Sequence, residues 1–368
     1  MSPESPFQRF LRSEQAGAFL LMGCTVVALV CANSVLAPAW LGFWHHPVWL
    51  NDGLMAVFFL LIGLELRREL REGELSSRDR ALLPAVAAVG GMAAPALIHF
   101  ALNAGTPEVR GFGIPMATDI AFTLGVLGLL GRRIPLALRV FVVAFAVIDD
   151  LGAILVIALF YSGSLSVPHL ASVAAVWLAM VALGRLGGVR RLEPFLVLAV
   201  VLWWLMLQSG VHATLAGVFA AFAIPYESGA KLEHGLSRPV AFVILPLFAL
   251  GNAGVVLAGG PAALASANGL GIIAGLTLGK PVGIALASVL ASRVLGLRLP
   301  AGIGVAHLIG AGLLGGIGFT MSIFIVNLAF GAVPELVNAS KLAVLAASVI
   351  SAALGAVWLM SIPRAASR

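Results

Sequence analysis

The sequence predicts an all-α polytopic membrane protein of about twelve transmembrane helices, and three observations carry that reading. Apolar residues fill 61% of the 368 positions and charged residues only 10%, where a soluble domain carries roughly 25% charged residues. Mean hydropathy is +1.06, and the apolar residues form runs long enough to cross a bilayer as helices. Basic residues gather in every second connection between those runs. A net charge of +6 forming one patch would suggest nucleic acid. Here the charge is spread between apolar runs, so the expected surroundings are a lipid bilayer and no nucleic-acid partner is implied.

The first run, 15–37, follows Arg9 and Arg12 and ends in LAPA, which imitates a signal-peptide cleavage site. Its apolar stretch from Ala16 to Ala32 is longer than an ordinary signal h-region, and a second span follows soon after, so it is read as an uncleaved first helix. Cys24 and Cys31 lie within this run with no clustered histidine, which indicates neither a disulfide framework nor a zinc site; both read as fillers. The next runs are 49–66, 81–102, 112–130, 136–160 and 167–184. Two short ones follow, 194–208 and 211–224, divided only by QSG, and then 239–259, 268–291, 301–329 and 336–361.

Charge keeps the two short runs apart. Arg9 and Arg12 precede the first span. Alternate connections then hold Arg67, Arg68, Arg71, Arg78 and Arg80; Arg132, Arg133 and Arg139; Arg185, Arg190 and Arg191; Lys231 and Arg238; Arg293 and Arg298. Arg364 and Arg368 close the chain, and the other connections contain only Arg110. The positive-inside rule then puts both termini in the cytoplasm and requires an even number of spans. Merging the seventh and eighth would invert the second half and break the pattern.

Two spans read as interrupted. GFGIPMATDIAF at 111–122 places Gly113, Pro115, Thr118 and Asp119 inside an apolar run, and LIGAGLLGGIGFTMS at 308–322 is glycine-rich with Thr320 and Ser322. Paired interruptions in the two halves of a chain point to discontinuous helices around a transport site near the midplane. Close packing by small residues is the alternative for the second stretch alone.

Ionisable residues inside the apolar runs are few: Asp119, Asp149, Asp150, Lys280 and Lys341, with His99, His212 and His307. A charge in the bilayer needs a partner or a water-filled cavity and usually marks an ion pathway. Asp149 and Asp150 sit in the middle of VFVVAFAVIDDLGAILVIALF, 140–160. Consecutive helical residues project about 100° apart, so the two carboxylates take separate jobs. One can pair with Lys280, and the other can line a cavity beside Asp119 and the carbonyls freed by the broken spans, the oxygen ligands that hard cations take. A buried ion network that only fixes helix register is the competing reading. Because carboxylates also bind protons, a proton and a cation would compete at one site, and alternating access to that site yields obligatory exchange. Lys341, near the start of the last span, is expected to snorkel as a structural residue.

Seven motifs in order resemble the NhaA-type sodium/proton antiporters of bacterial inner membranes: NDGLMAVFFLLIGLELRREL at 51–70, ATDIAFTLGVLGLLG at 117–131, IDDLGAI at 148–154, SGVHATLAG at 209–217, ILPLFALGNAGV at 244–255, GKPVGI at 279–284 and GGIGFTMSIFI at 315–325. The resemblance implies one integral membrane domain over 1–368, with inverted repeats at about 81–160 and 268–361 and two broken, crossing helices, spans 4 and 11. It implies electrogenic, pH-regulated export of sodium, and of lithium, against protons, with no cofactor and no enzymatic activity. Asp150 becomes the principal cation ligand, Asp149 the partner of Lys280, and both take part in proton exchange. Thr118 and Asp119 would lie where the broken helices cross, with Asp119 and Lys280 offsetting the half-helix dipoles. Asp52 matches an acidic residue near the periplasmic end of the second helix. Glu65, Arg68 and Glu69, with Glu233 and His234, match a cytoplasmic cluster linked to pH activation, and His212, which also follows the family pattern, is a further candidate for pH regulation.

Two departures stand out. The connection at 38–48 is too short for the extended hairpin that relatives use to dimerise, so a homodimer is implied less directly. The stretch YESGAKLEHGLSRP, 226–239, reads as a shortened loop with fewer histidines. His45, His46, His99 and His307 receive no role. Two rivals belong to other classes. A cation-coupled symporter of a small organic solute would need recognition groups beyond acid and lysine. An intramembrane aspartyl protease would need two carboxylates sharing a proton, which Asp119 and Asp150 but not helical neighbours could supply.

Overall fold

A computed structural model of the chain describes residues 14–45, 48–257, 260–300 and 302–363. Arg9, Arg12, His46, Arg364 and Arg368 lie outside the described residues. The molecule is all-helical in its regular structure. Eight helices are long and apolar enough to cross a membrane, and two further pairs meet that test as units bent by 41° and 51°. Two shorter apolar helices bring the series to the twelve spans expected, among the described residues.

Glu14–Ala32 forms the first span. A short helix, Ala37–Phe43, follows, and then a π-helical turn, Trp49–Leu54, leads directly into Met55–Arg71 as the second. The third is Arg78–Leu102, the fifth Leu136–Phe160 and the sixth Val167–Arg185. Glu193–Ser209 and Leu215–Ala223 are distinct helices, ended and restarted around Gly210 at φ +83°, so the seventh and eighth do not merge. The last span is Pro334–Ser361.

The stretch at 226–239 is not a loop. Tyr226–Pro239 is helical and runs through a π segment, Val240–Ile244, into Leu245–Asn252, making one ninth span. Its polar composition is that of a helix leaving the membrane, with Glu227 in its first turn, the sign that the helix dipole favours there. The tenth span is likewise built as Ala267–Ala274, a π segment Gly275–Gly279, and Lys280–Val294. Single π turns inside α-helices often sit at functional positions, and this one ends at Lys280.

Small residues let the spans approach closely, the usual solution where lipid offers no hydrophobic drive for helix association. The third and tenth spans cross at Gly90 and Gly283, where a Cβ on either glycine would run into the carbonyl of the other. At the second and eighth, Gly217 faces the Ala56 carbonyl in the same way.

Buried apolar side chains separate into two clusters, and the boundary between them positions the site. The fourth, fifth, tenth, eleventh and twelfth spans contribute to both. Ile114, Ile154, Leu276, Phe319 and Val344 belong to one cluster, and Leu127, Phe145, Ile284, Leu314 and Leu359 to the other. Each span passes between clusters at its polar or glycine-rich residues: Thr118 and Asp119, Asp149 and Asp150, Lys280, the glycines of 315–318, and Ser348 with Ser351, all the polar ones buried. Apolar packing above and below thus leaves one polar layer across five helices. At the arginine-poor end of the second span, Trp44 packs with Trp40, Phe43 and Trp49 at ring separations of 4.9–6.2 Å, an aromatic group of the kind found at bilayer interfaces.

Candidate ion-binding site

The fourth span breaks because Pro115 lacks an N–H and ends a 3₁₀ helix, Pro107–Met116, after which Ala117 is extended (φ −80°, ψ 147°) and Ile120–Leu130 restarts as an α-helix. The eleventh breaks between Val305–Gly315 and Phe319–Phe330. The breaks meet. Asp119 N donates to Ile317 O at 2.6 Å, Thr118 Oγ1 to Gly315 O at 2.8 Å, Thr123 Oγ1 to Leu314 O at 3.1 Å and Ser322 Oγ to Ile114 O at 2.7 Å. The backbone groups that each break releases are therefore bonded by the other span, as non-helical backbone at membrane depth requires. Gly318 allows this approach, since a Cβ there would run into Ser322 Oγ and crowd the Ala117 carbonyl at 3.2 Å.

One carboxylate serves both restarted helices. Asp119 is the N-cap of Ile120–Leu130, where its Oδ1 accepts from Phe122 N at 3.0 Å. Its Oδ2 accepts from Thr320 N at 3.0 Å and Thr320 Oγ1 at 2.6 Å, in the first turn of Phe319–Phe330. A negative charge thus lies at two helix N-termini, where exposed N–H groups and dipoles favour it. Among the described residues Asp119 makes no hydrogen bond to Asp150; its oxygens turn to backbone and threonine. Thr320 was visible in the sequence only as a polar residue in a glycine-rich run, with no sign of its partner.

Lys280 is fully buried and donates to Asp149 Oδ2 at 2.5 Å and to Thr118 Oγ1 at 2.8 Å. Thr118 relays this positive charge onto the carbonyl end of Val305–Gly315 through its bond to Gly315 O. Lys280 and Asp149 thus form a buried, hydrogen-bonded ion pair braced by threonine.

Asp150 differs from its neighbour. It is 2% exposed and receives no hydrogen bond from any described residue, whereas Asp149 is bonded at Oδ2 and lacks a partner only at Oδ1. A carboxylate offers about four acceptor positions, and a buried one left without donors is strongly disfavoured unless a proton or a cation arrives. Val143 and Val147 lie seven and three residues before Asp150 on its helical face, and both line a cavity of about 530 Å³. Ile120, Leu124 and Leu127 of the fourth span form its other stripe, and Glu65, Arg68, Glu69, Gln15 and Arg139 lie around it. The cavity opens on the arginine-rich end of the bundle. No group of three or more His, Cys, Asp or Glu side chains forms a metal cage among the described residues; a sodium ion here would be cargo held partly by other oxygens.

Of the outlying candidates, Arg68 bonds Glu233 at 2.7 Å and Glu69 at 3.1 Å, while Glu65 shares the cavity wall with them. His234 is exposed and does not join the cluster. Asp52 and His212 lie 3.6 Å apart at the other end, and the His212 ring stands 5.2 Å from Phe324 of the eleventh span. His99 is buried against Asn268 at 3.1 Å, and His307 accepts from Gly304 N at 3.3 Å at its own helix start. Lys341 does not snorkel: its ammonium turns inward to Asn252 Oδ1 at 3.4 Å. The reason is a set of intramembrane amides, Asn51, Asn252 and Asn327, which a reading confined to ionisable groups passes over.

A family profile described as Na+/H+ antiporter 1 matches residues 8–359. The Na(+)/H(+) antiporter NhaA of Dechloromonas aromatica is 53% identical over 369 residues, covering 96% of this chain and 95% of the relative. That of Cytophaga hutchinsonii is 47% identical, covering 96% and 94%, and that of Escherichia coli O6:K15:H31 is 49% identical, covering 95% and 97%. With its broken spans, buried lysine–aspartate pair and unpartnered aspartate already in place, the chain belongs to the Na+/H+ antiporter 1 family.

Proposed function

We propose that this protein is an electrogenic sodium/proton antiporter of a bacterial inner membrane, with both termini in the cytoplasm. The observation that carries the reading is Asp150, a buried carboxylate with no internal donor, on the helical face whose Val143 and Val147 line the cavity. Either a proton or a partly dehydrated sodium ion satisfies it, and the two exclude one another. Lithium, with the same hard-cation chemistry, is accepted as well. The Lys280–Asp149 pair holds the second proton while no cation is bound and gives it up as the cation arrives, so that more than one proton enters per sodium exported and the membrane potential drives export. Thr118 supplies an oxygen beside the pair, and Asp119 with Lys280 holds the crossing together. The repeats 81–160 and 268–361 rock about this crossing to expose the site alternately. Asp52 and His212 lie on the periplasmic route. Glu65, Arg68, Glu69 and Glu233 at the cytoplasmic mouth set the pH at which exchange begins, whereas the exposed His234 acts there only through long-range charge.

Everted membrane vesicles carrying an imposed pH gradient and a fluorescent pH reporter test this reading. Sodium and lithium, but not potassium, should collapse the gradient in the parent and not in Asp150→Asn. Absence of collapse in the correctly inserted parent at every pH would reject it, and a reversal potential indifferent to voltage would reject its electrogenic part.

A further inference from the structure

Asn252 ends the Leu245–Asn252 helix and is 3% exposed. Its carboxamide is saturated. Nδ2 donates to Asn51 Oδ1 at 2.9 Å and Phe248 O at 3.2 Å, while Oδ1 accepts from Asn327 Nδ2 at 2.7 Å and Lys341 Nζ at 3.4 Å. One side chain therefore joins the second, ninth, eleventh and twelfth spans. The only formal charge in this group is Lys341, and among the described residues no carboxylate lies within ion-pairing distance of its ammonium. A half-buried cation with neutral amides for company is expensive at membrane depth. Structure alone gives no reason for it, because an uncharged donor would satisfy Asn252 equally well.

Its position supplies one. Asn327 lies seven residues beyond Thr320, which bonds Asp119, and Lys341 lies seven residues before Ser348, whose Oγ accepts from Phe319 N. At about 1.5 Å per helical residue, both paths put the ammonium roughly 10 Å from the polar layer, on the side of Asn51 and Asp52. The lateral offset between the fifth and twelfth spans adds to that axial distance, so at an effective dielectric near 20 one unit charge changes the binding of another by at most about tenfold.

We propose that Lys341 is a fixed positive charge that sets the sodium affinity of the Asp150 site, with Asn252 as its anchor. It lowers that affinity and thereby eases cation departure toward the Asp52 side. The proposal rests on the antiporter reading. Sodium titrations of exchange, read as apparent KM and maximal rate separately, test it together with sodium-induced thermal stabilisation of the detergent-purified protein. Lys341→Gln keeps a donor for Asn252 and should lower the apparent KM about three- to tenfold without raising the maximal rate; Lys341→Arg should retain the parent KM. Asn252→Asp, which places a carboxylate on the ammonium, should also lower KM and decides the matter if Lys341→Gln fails to insert. A residue that only braces helices would leave KM unchanged or raise it. Unchanged or higher KM in the neutral variants, or an equal fall in Lys341→Arg, would overturn the assignment while leaving the antiporter reading intact. A parent that neither exchanges sodium nor is stabilised by it would overturn both.

Discussion

The Lys280–Asp149 and Arg68–Glu233 pairs have nearly the same length, 2.5 and 2.7 Å, in opposite surroundings. The first has side-chain exposures of 0% and 1%, the second 47% and 13%. In the polar layer neither water nor salt can replace a lost partner, so the pair is held or broken as a whole. At the cavity mouth solvent competes continuously and attraction is graded. In the proposed function, all-or-none exchange of ions thus suits the centre, and adjustable regulation suits the rim.

The largest effect tests what the centre leaves open. Asp150→Asn keeps the shape of the side chain and removes the charge that a cation needs, so sodium-driven gradient collapse should fall to background in vesicles while thermal stability in detergent stays within about 1 kcal/mol of the parent. A variant that still exchanged sodium at a tenth of the parent rate would move the binding role elsewhere in the layer.

Next comes the pair itself. Lys280→Met strands Asp149 in the core and should destabilise the protein by about 3–5 kcal/mol. Adding Asp149→Leu removes the stranded charge and should recover most of that stability without restoring exchange. If Lys280→Met were no more harmful than a surface substitution, the contrast between centre and rim would fail. Asp119→Ala should cost about 2 kcal/mol because it uncaps two helix starts, whereas Asp119→Asn keeps an acceptor for one of them and should cost less. Thermal melting of both variants gives the order.

The contrast also explains what could be read in advance. Long apolar runs and alternating arginines disclose spans such as Leu136–Phe160, because bilayer thickness and insertion act on local sequence. The breaks at Pro115 and in the glycines of 315–318 were legible for the same local reason. What escaped was pairwise and distant. Nothing near Thr320 announces Asp119, 201 residues away, and nothing in FALGN announces that Asn252 will gather Asn51, Asn327 and Lys341. The stretch 226–239 misled because polarity was taken for irregular backbone, although a helix emerging from the membrane is polar by necessity.

The smallest effect is the most discriminating. Arg68→Gln leaves Glu69 and Glu233, with side chains only 11% and 13% exposed, beside Glu65, but Arg68 itself is 47% exposed to the water of the mouth, so the loss should be only about 1 kcal/mol. Raising ionic strength from about 0.01 M to 1 M shortens the screening length from roughly 30 Å to 3 Å, and the Arg68→Gln deficit should shrink accordingly in thermal melts. The Lys280→Met deficit should not, because mobile ions do not reach the polar layer. Exchange assays should show the same division: Arg68→Gln displaces the pH profile and retains the maximal rate, whereas Lys280→Met lowers the rate at every pH. An Arg68→Gln deficit that survived 1 M salt would mean that the cavity mouth closes over its charges, and the rim would then have to be treated as a second buried centre.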